Sequence, residues 1–456
     1  MLRFYHCISF MKLRYIGLLA LVVALVCCSC NDKDNDAVLR RVTIQAVESN
    51  RIAIDRGETI KIKFGVAPAQ YNIKDNQVRL ILTDANDCLA LKGVESLGEG
   101  QYYAVVEDLD KGIPYSTQLS VCISDNEVKA DVISNAITFS YAPREYTHTV
   151  QSNDIVYDGN SHAAFTGMLN YNGVLYLAFR EGTAHRPASV ADYGVIKVLS
   201  NNGAGWKECG IIRDATKDLR DPFLIEVDGK LRAYIGYNTF EGDRYQHSGS
   251  VYSDFENGEW SDVKAITHDV PHIVWLWKVR KYEDTYYSVA YLEGELPALL
   301  SSEDGITWKT VTYFQLDGIL SEADMAFIGK TMYVCLRKDQ PIGSPSFWGV
   351  AKYPFEEFKW AQMDKCVESP ELLRLPYSNH ILLAGRERYV SSPNVSASLF
   401  SVSLNGEMSK IATLDTETDG DVGYPSLIVK DGVLYCSYYT GFESKAQIKI
   451  SKLSIE

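Results

Sequence analysis

A hairpin unit that repeats six times constrains the fold of this chain more than any other feature. Each unit is an apolar strand, a turn containing Gly, Asp or Asn, and a second strand rich in Tyr, Leu and Val. The turns recur roughly every 50 residues, as in radial repeat architectures. Six four-stranded units of this length predict a six-bladed β-propeller over residues 145–456, with equivalent strand ends around a central funnel. The six hairpins are Ala164–Arg180, Asp221–Asn238, Trp275–Leu292, Glu322–Arg337, Pro370–Arg386 and Tyr424–Thr440.

The rest of the composition also favours strands over helices. The chain of 456 residues holds 29 Tyr, many of them in short Val/Ile/Leu/Tyr runs, and no long stretch shows a 3.6-residue apolar period. The fold class is therefore predicted to be all-β. Residues 40–144 alternate short strands with turns and predict an immunoglobulin-like β-sandwich. This part carries no set of catalytic residue types, so we interpret it as a spacer or docking domain.

The N-terminus has the pattern of a targeting segment. Lys12 and Arg14 precede the apolar run Tyr15–Val26, which is short for a membrane span and typical of a secretory signal. Residues 1–29 resemble a bacterial lipoprotein signal peptide with Cys30 as the lipidated residue, and residues 30–39 form a polar tether. The acidic tract after Cys30 resembles the surface-export signal of Bacteroidetes lipoproteins. We expect an outer-membrane lipoprotein at the cell surface or in the periplasm; an ordinary cleaved signal is the alternative.

Charge and cysteine spacing exclude several classes of function. The formal net charge of −14 argues against nucleic acid as a partner and against an anionic membrane surface, so any membrane contact would be through the lipid anchor. The cysteines after Cys30 have no zinc-site spacing, and we expect no metal or other cofactor. Cys88 and Cys122 are predicted either to pair or to be buried thiols.

One hairpin places a carboxylate beside an arginine. A two-residue turn at Gly329-Lys330 joins two antiparallel strands, so Glu322 and Arg337 should emerge side by side at one sheet edge. The pair suits either a structural ion pair or a catalytic pair. In a radial arrangement, this edge converges with the equivalent edges of the other five hairpins.

The converging edges supply a set of candidate site residues. Three arginines from three blades would form a binding site for a carboxylate, since arginine forks bind carboxylates in bidentate fashion. Trp275 and Trp277 share one strand face and are either core residues or a platform for a sugar ring. Asp221 either binds substrate or, with Pro222, forms the turn that starts its blade. The remaining candidates are Arg180, His185, Asp192, Arg220, His272, Glu322, Arg337, Arg386, Arg388 and Tyr424.

From about Glu145 onward, these residues resemble the sialidase superfamily. Ser301–Trp308 resembles the family's Asp-box, with Glu303 where Asp is usual, and Phe179-Arg180 resembles the motif of its first arginine. Glu322 and Arg337 match the order and spacing of the family's base and second arginine. The third arginine is matched by Arg386, with Arg388 as the alternative. Tyr424 falls where the family keeps its nucleophilic tyrosine, although Pro425 replaces the usual Ser.

The resemblance implies exo-acting, retaining hydrolysis of a glycan that carries an acidic sugar. The arginines would bind the sugar carboxylate, and Tyr424, deprotonated through Glu322, would attack the anomeric carbon, because a phenol with a pKa of about 10 needs a base. The general acid is expected in the loop after Arg180, where Asp192 and His185 are the candidates.

Two other functions fit the same residues. A polysaccharide lyase acting on a uronic acid would use arginines to neutralise the carboxylate and His162, His185 or Tyr424 to transfer protons. A glycan-binding lipoprotein without turnover would need no proton donor. Fold alone does not choose among the three.

Overall fold

The computed structural model describes residues 37–46, 51–54, 60–82, 87–89, 91–106, 116–292, 294–389, 393–418 and 420–456. The predicted signal segment and Cys30 lie outside these residues. The described helices are two short 3-10 turns, Asp75–Gln77 and Val190–Asp192. None of the described helices is long and apolar enough to cross a membrane.

Two β-sheets around one apolar core form the N-terminal part. Its strands are β1 (Arg41–Ile44), β2 (Arg51–Ile54), β3 (Ile60–Ala67), β4 (Val78–Leu82), β5 (Asp87–Leu89), β6 (Leu91–Gly98), β7 (Gln101–Val106), β8 (Ser116–Asp125), β9 (Ala130–Ile133) and β10 (Ile137–Tyr141). One sheet has the order β1-β3-β7-β6, and the other has β2-β10-β8-β4-β5 with β9 against β8. In β3, Ile60, Ile62 and Phe64 point into the core and the intervening lysines point outward, the alternation expected of a strand with one buried face.

The immunoglobulin-like assignment of this two-sheet part stays a prediction. Cys122 is a buried free thiol, and the side chain of Cys88 lies outside the described residues. Strand β10 ends at Tyr141, just before the predicted boundary at residues 144 and 145.

Six four-stranded antiparallel sheets, and two further two-residue strands that pair with the second and third of them, make up the rest of the described chain. The strands are β11 (Val150–Tyr157), β12 (His162–Tyr171), β13 (Val174–Gly182), β14 (Val195–Asn201), β15 (Lys207–Ile212), β16 (Asp218–Val227), β17 (Lys230–Glu241), β18 (Arg244–Glu256), β19 (Glu259–Trp260), β20 (Lys264–Ala265), β21 (Thr267–His268), β22 (Trp275–Tyr282), β23 (Thr285–Tyr291), β24 (Ala298–Ser302), β25 (Thr307–Tyr313), β26 (Leu320–Ile328), β27 (Thr331–Lys338), β28 (Phe347–Lys352), β29 (Phe358–Gln362), β30 (Cys366–Arg374), β31 (His380–Arg388), β32 (Asn394–Ser403), β33 (Met408–Thr418), β34 (Asp421–Lys430), β35 (Val433–Phe442) and β36 (Lys445–Ser454).

The sheets form the closed ring of a six-bladed propeller. Blades one to five are β12–β15, β16–β19, β22–β25, β26–β29 and β30–β33, and blade six is β34, β35, β36 and β11. The first strand of each blade contacts the first strand of the next, and β34 of blade six contacts β12 of blade one. Each predicted hairpin is found as the first two strands of a blade.

Blade six is completed by a strand from the other end of the propeller sequence. Strand β11 pairs antiparallel with β36, from Val150 opposite Leu453 to Tyr157 opposite Ile448. The side chain of Asn153 on β11 donates to the carbonyl of Leu414 in blade five and accepts from the hydroxyl of Tyr438 in blade six. The ring is therefore held closed by hydrogen bonds between segments about 300 residues apart.

The first strand of every blade carries a β-bulge near its start. The pairing register shifts within β12, β16, β22, β26, β30 and β34. In five blades the bulge holds a non-glycine residue with positive φ, and in blade four it spans Ser321 and Glu322. A bulge redirects a side chain, and these bulges all lie around the axis. The five residues are Phe165, Asp221, Lys278, Ser369 and Tyr424.

The turn between β24 and β25 fastens blade three to blade two. One carboxylate oxygen of Asp304 accepts from the amides of Ile306 and Thr307 at 2.7 Å and from the hydroxyl of Ser302 at 2.9 Å. The hydroxyl of Tyr234 in blade two donates to the carbonyl of Gly305 at 2.6 Å. The Asp-box resemblance of Ser301–Trp308 placed Glu303 where Asp is usual, but the carboxylate that organises this turn is that of Asp304.

Candidate active site

Tyr424 and Glu322 meet at the centre of the ring. The Tyr424 hydroxyl donates to Oε1 of Glu322 over 2.6 Å, although the two residues are 102 positions apart. The other oxygen, Oε2, accepts from Nη1 of Arg337 at 2.7 Å and from the backbone amide of Ser369 at 2.6 Å. These contacts hold the buried Glu322 carboxylate in one orientation, with one oxygen directed at the phenol.

The backbone around Tyr424 is held in a left-handed conformation from both sides. Its φ is +50°, a conformation that costs on the order of 1 kcal/mol or more for a non-glycine residue. The amide of Tyr424 donates to the Ser369 hydroxyl at 3.1 Å, and its carbonyl accepts from the Thr166 hydroxyl at 2.8 Å. Neighbouring blades therefore keep the tyrosine directed into the funnel.

Aromatic rings enclose the phenol. The centroid of the Tyr424 ring lies 4.8 Å from that of Phe165 and 5.7 Å from that of Trp277. Burial raises the pKa of Tyr424 well above its usual value, and the nearby Glu322 raises that pKa further. The hydroxyl is therefore protonated at neutral pH and can become a nucleophile only by passing its proton to a base.

Asp221 borders the same small pocket, which Phe165, Phe223 and Trp277 also line. Its Oδ1 is buried and has no hydrogen-bond partner among the described residues. Burial raises the pKa of Asp221 to about 7, a shift that Arg220 opposes and Glu322 reinforces. A carboxyl group with this pKa can donate a proton near neutral pH.

Arg180 lies away from the pocket in a fully buried ion pair. It is 0% exposed, and its Nη2 lies 2.8 Å from Oδ1 of Asp218 while its Nη1 donates to the carbonyl of Ala184 at 2.9 Å. A Cβ added at Gly182 or Gly194 would lie within 3.0 Å of its guanidinium, so the two glycines leave space for this buried side chain. The structure does not bring Arg180 to Tyr424.

Three arginines converge on the buried Glu368. Arg386 contacts it at 3.2 Å, Arg388 at 2.7 and 3.0 Å, and Arg337 at 3.5 Å. Burial opposes its ionisation, but these arginines together lower the pKa of Glu368 to about 2. Arg386 and Arg388, the two candidates for the family's third arginine, therefore both contact this one internal carboxylate.

His185 and His162 form a separate group with Asp421. Nδ1 of His185 lies 3.0 Å from the Asp421 carboxylate, and the buried His162 has no partner for either ring nitrogen among the described residues. Burial lowers the pKa of His162 to about 3 and also lowers that of His185. The Phe165 ring contacts both His185 and Tyr424 and therefore lies between this group and the phenol.

The same three residues are the group with the geometry to hold a metal ion within the described part of the chain. Their ligand atoms lie within 4.8 Å of one another. Asp421 already accepts hydrogen bonds from Arg386 at 2.5 Å and from Tyr439 at 2.6 Å, and a cation would have to share it with them. The expectation of a metal-free protein stays a prediction.

The remaining candidates lie further from the phenol. Asp192 is in the second 3-10 turn, where its carboxylate accepts from the Ser189 hydroxyl at 2.8 Å, and no described contact joins it to Tyr424 or Glu322. Trp275 packs on His247, with 4.5 Å between ring centroids. Trp275 and Trp277 are both buried, but only Trp277 contacts the Tyr424 ring.

Sequence reasoning missed the residues that the bulges and the ion pairs bring in. Glu368, Asp218 and Ser369 all contact candidate site residues, but none was singled out. A signal was present: Asp221-Pro222, Ser369-Pro370 and Tyr424-Pro425 recur at one repeat position, and proline inside a strand marks a bulge.

Comparison with known proteins supports the fold. A scan against protein-family models finds no match, and neither does a search of curated proteins. The NanB sialidase from Streptococcus pneumoniae is similar over 87% of this chain and 94% of that chain, with 9% identity and a TM-score of 0.50. Phage phi92 endosialidase (71% of each chain, 10% identity, TM-score 0.49) and Trypanosoma rangeli sialidase (68% of this chain, 12% identity, TM-score 0.46) are also similar.

This chain spans 60% of the length of the Trypanosoma rangeli sialidase chain. At such low identity, the similarity to solved structures concerns architecture and carries no statement about activity. The chain has a sialidase-like, all-β propeller fold.

Proposed function

We propose that this protein is a retaining glycoside hydrolase in which Tyr424 is the nucleophile. The observation that carries the proposal is the 2.6 Å hydrogen bond from the Tyr424 hydroxyl to the held carboxylate of Glu322 inside the aromatic pocket. A neutral phenol is a weak nucleophile, and a base within hydrogen-bond distance removes that obstacle.

The reaction would take place in two steps. Tyr424 attacks the anomeric carbon as its proton moves to Glu322, and the bond to the leaving-group oxygen breaks. Water then attacks the anomeric carbon of the glycosyl–tyrosine intermediate, and the bond from that carbon to the Tyr424 oxygen breaks as this oxygen takes its proton back from Glu322. The sugar is released with its original anomeric configuration. Arg337, at 2.7 Å from Glu322, stabilises the carboxylate before it accepts the proton.

Asp221 is the proton donor that best fits this site. It borders the pocket, lacks a partner for Oδ1, and has a pKa raised to about 7. Asp192 and His185, the donors expected from the sequence, lie elsewhere: one in a surface turn, the other across the Phe165 ring. Asp221 would protonate the leaving-group oxygen and later accept a proton from the attacking water.

A lyase acting on a uronic acid is the second candidate. It is favoured by the group of His185, Asp421 and Arg386, because a histidine oriented by a carboxylate and lying near an arginine could abstract a proton beside a sugar carboxylate. A glycan-binding protein without turnover remains the third possibility.

A two-channel assay separates these functions. The secreted chain, with Cys30 replaced, is incubated with a glycan panel while reducing sugar and absorbance near 235 nm are followed. We expect reducing sugar to appear and Tyr424→Phe to lower its rate by at least about 100-fold with little change in Tm. Tyr435→Phe, on the adjacent strand β35, is the matched control. A rise in absorbance at 235 nm, whether or not it depends on Tyr424, would establish the lyase, and binding with neither signal would establish the binder.

We also propose that the protein is a lipoprotein of the outer membrane, anchored through Cys30, as the signal pattern suggests. In a Bacteroidetes host, Cys30→Ser should move the protein from the membrane fraction to the soluble fraction, while Cys28→Ser should leave it in the membrane fraction. Equal fractionation of the two variants would contradict anchoring at Cys30.

A further inference from the structure

The chain supplies its own carboxylate to the arginine cluster beside Tyr424. Glu368 lies where Arg337, Arg386 and Arg388 converge, and it is 4% exposed. Its pKa of about 2 keeps it ionised throughout the range in which an enzyme works. A substrate carboxylate entering this cluster would have to displace Glu368 or lie beside it as a second anion, and neither is favourable in a buried site.

Arg180 and Arg220 of the first two blades share a second internal carboxylate, that of Asp218. Arg180 lies 2.8 Å from the Asp218 carboxylate. Arg220 lies 3.5 Å from it and donates to the carbonyl of His185 at 2.7 Å and to the Tyr245 hydroxyl at 3.1 Å. Tyr245 in turn donates to Asp218. These hydrogen bonds leave Arg220 stacked on the Phe165 ring, at 4.5 Å from its centroid.

The lysine at the pocket is paired as well. Nζ of Lys278 lies 2.9 Å from Oε2 of the buried Glu371. The pocket itself is lined by Phe165, Phe223 and Trp277 and by the carboxyl group of Asp221. A further anion there would face Asp221 and Glu322, and Glu322 already raises the pKa of Asp221. The aromatic walls of this small pocket instead offer a surface on which a neutral sugar ring can stack.

Resting on the hydrolase proposed above, we infer that the sugar held against Tyr424 carries no carboxylate. The substrate is a neutral glycoside, and Glu368 occupies the arginine cluster as an internal counter-ion. This differs from the acidic sugar that the sequence resemblance implied.

The first test uses glycosides that differ only in the carboxylate. Wild-type protein is assayed with the 4-methylumbelliferyl glycosides of glucose and glucuronic acid and of galactose and galacturonic acid, in both anomers, and with the N-acetylneuraminic acid glycoside. We expect turnover of a neutral member at a rate at least tenfold above that of its acidic partner. Equal or faster release from any acidic member would overturn the inference while leaving the hydrolase intact.

If no glycoside is turned over, the hydrolase fails, and binding decides the sugar class. Tryptophan fluorescence is then titrated with glucose, galactose, arabinose, glucuronate and N-acetylneuraminate, since Trp277 lines the pocket. A response to neutral sugars alone supports the inference. A response to the acidic sugars, or to none of the five, overturns it.

The second test removes the internal counter-ion. Glu368→Gln keeps the shape of the side chain but leaves three arginines without their shared carboxylate, so we expect binding of glucuronate or N-acetylneuraminate to strengthen at least tenfold. Glu387→Gln is the control: it lies on the same strand as Arg386 but pairs with Lys410 and Lys365, and it should leave that binding unchanged. Equal affinity in Glu368→Gln and wild type would overturn the role assigned to Glu368. If Glu368→Gln does not fold, the glycoside panel still decides.

Discussion

Asp221 and Tyr424 occupy left-handed backbone positions in blades two and six, on either side of blade one, and the proposed chemistry depends on the protonation of both. The raised pKa keeps the Tyr424 phenol neutral at pH 7 until Glu322 accepts its proton, and it keeps most of the Asp221 carboxyl protonated below pH 7, ready to protonate the leaving group. The two pKa values are raised chiefly by burial, which the bulges impose by turning both side chains into the funnel.

The pH profile should report Asp221. Because its pKa is raised to about 7, the protonated donor predominates below pH 7 and its fraction falls about tenfold per pH unit above it. We expect kcat/KM of the wild type to fall accordingly, and Asp221→Asn to lose this descending limb and at least about 100-fold in rate on natural glycans. Dinitrophenyl glycosides, which need no acid, should be affected far less. The same results with Asp192→Asn would instead assign the acid to Asp192.

At the scale of elements, turns and bulges set the geometry. The turn around Asp304 joins two blades through Tyr234, and the amides of Ile306 and Thr307 lower the pKa of Asp304 to about 2, against the opposing effect of burial. An unfolded Asp has a pKa near 3.9. Because the folded pKa is the lower one, the stabilisation is complete above about pH 4 and is lost as the pH falls towards 2.

Replacing Asp304 should therefore destabilise the propeller only at higher pH. We expect Asp304→Asn to reduce the free energy of unfolding at pH 7 by about 0.5–2 kcal/mol, comparable to the loss of a helix cap. The deficit should shrink as the pH is lowered from 4 towards 2. Thermal and urea unfolding would measure it, with the exposed neighbour Glu303→Gln as the control. A larger loss in the control would assign the organising role to Glu303 instead.

The hairpins were predictable because each is local. Strand patterns and turn residues such as Asn172-Gly173 and Asp431-Gly432 are contained within a few residues, and the side-by-side placement of Glu322 and Arg337 follows from one turn. The pairing of Arg180 with Asp218 and the convergence of three arginines on Glu368 join different blades. Their geometry depends on bulges that shift the strict alternation of a strand.

At the scale of the whole molecule, closure of the ring depends on β11. Without this strand, blade six would have three strands, and β36 would expose an unpaired edge. Two truncations isolate its contribution: a chain starting at residue 145 retains β11, and a chain starting at residue 158 lacks it. We expect the first to unfold in one cooperative transition and the second to aggregate or to unfold at a clearly lower temperature. Equal melting curves would show that the other blade contacts suffice to hold the ring closed.

The partnership of β11 with β36 also sets an order of events during biosynthesis. A ribosome makes β11 early and β36 almost 300 residues later, so the early strand has no partner until the last blade has been translated. A chain cut short in its final blade has no β36 to pair with β11, so it keeps an unpaired strand edge that proteases and chaperones recognise. The ring therefore closes only in full-length chains, and only in these chains does Tyr424 lie beside Glu322 within a closed ring of blades.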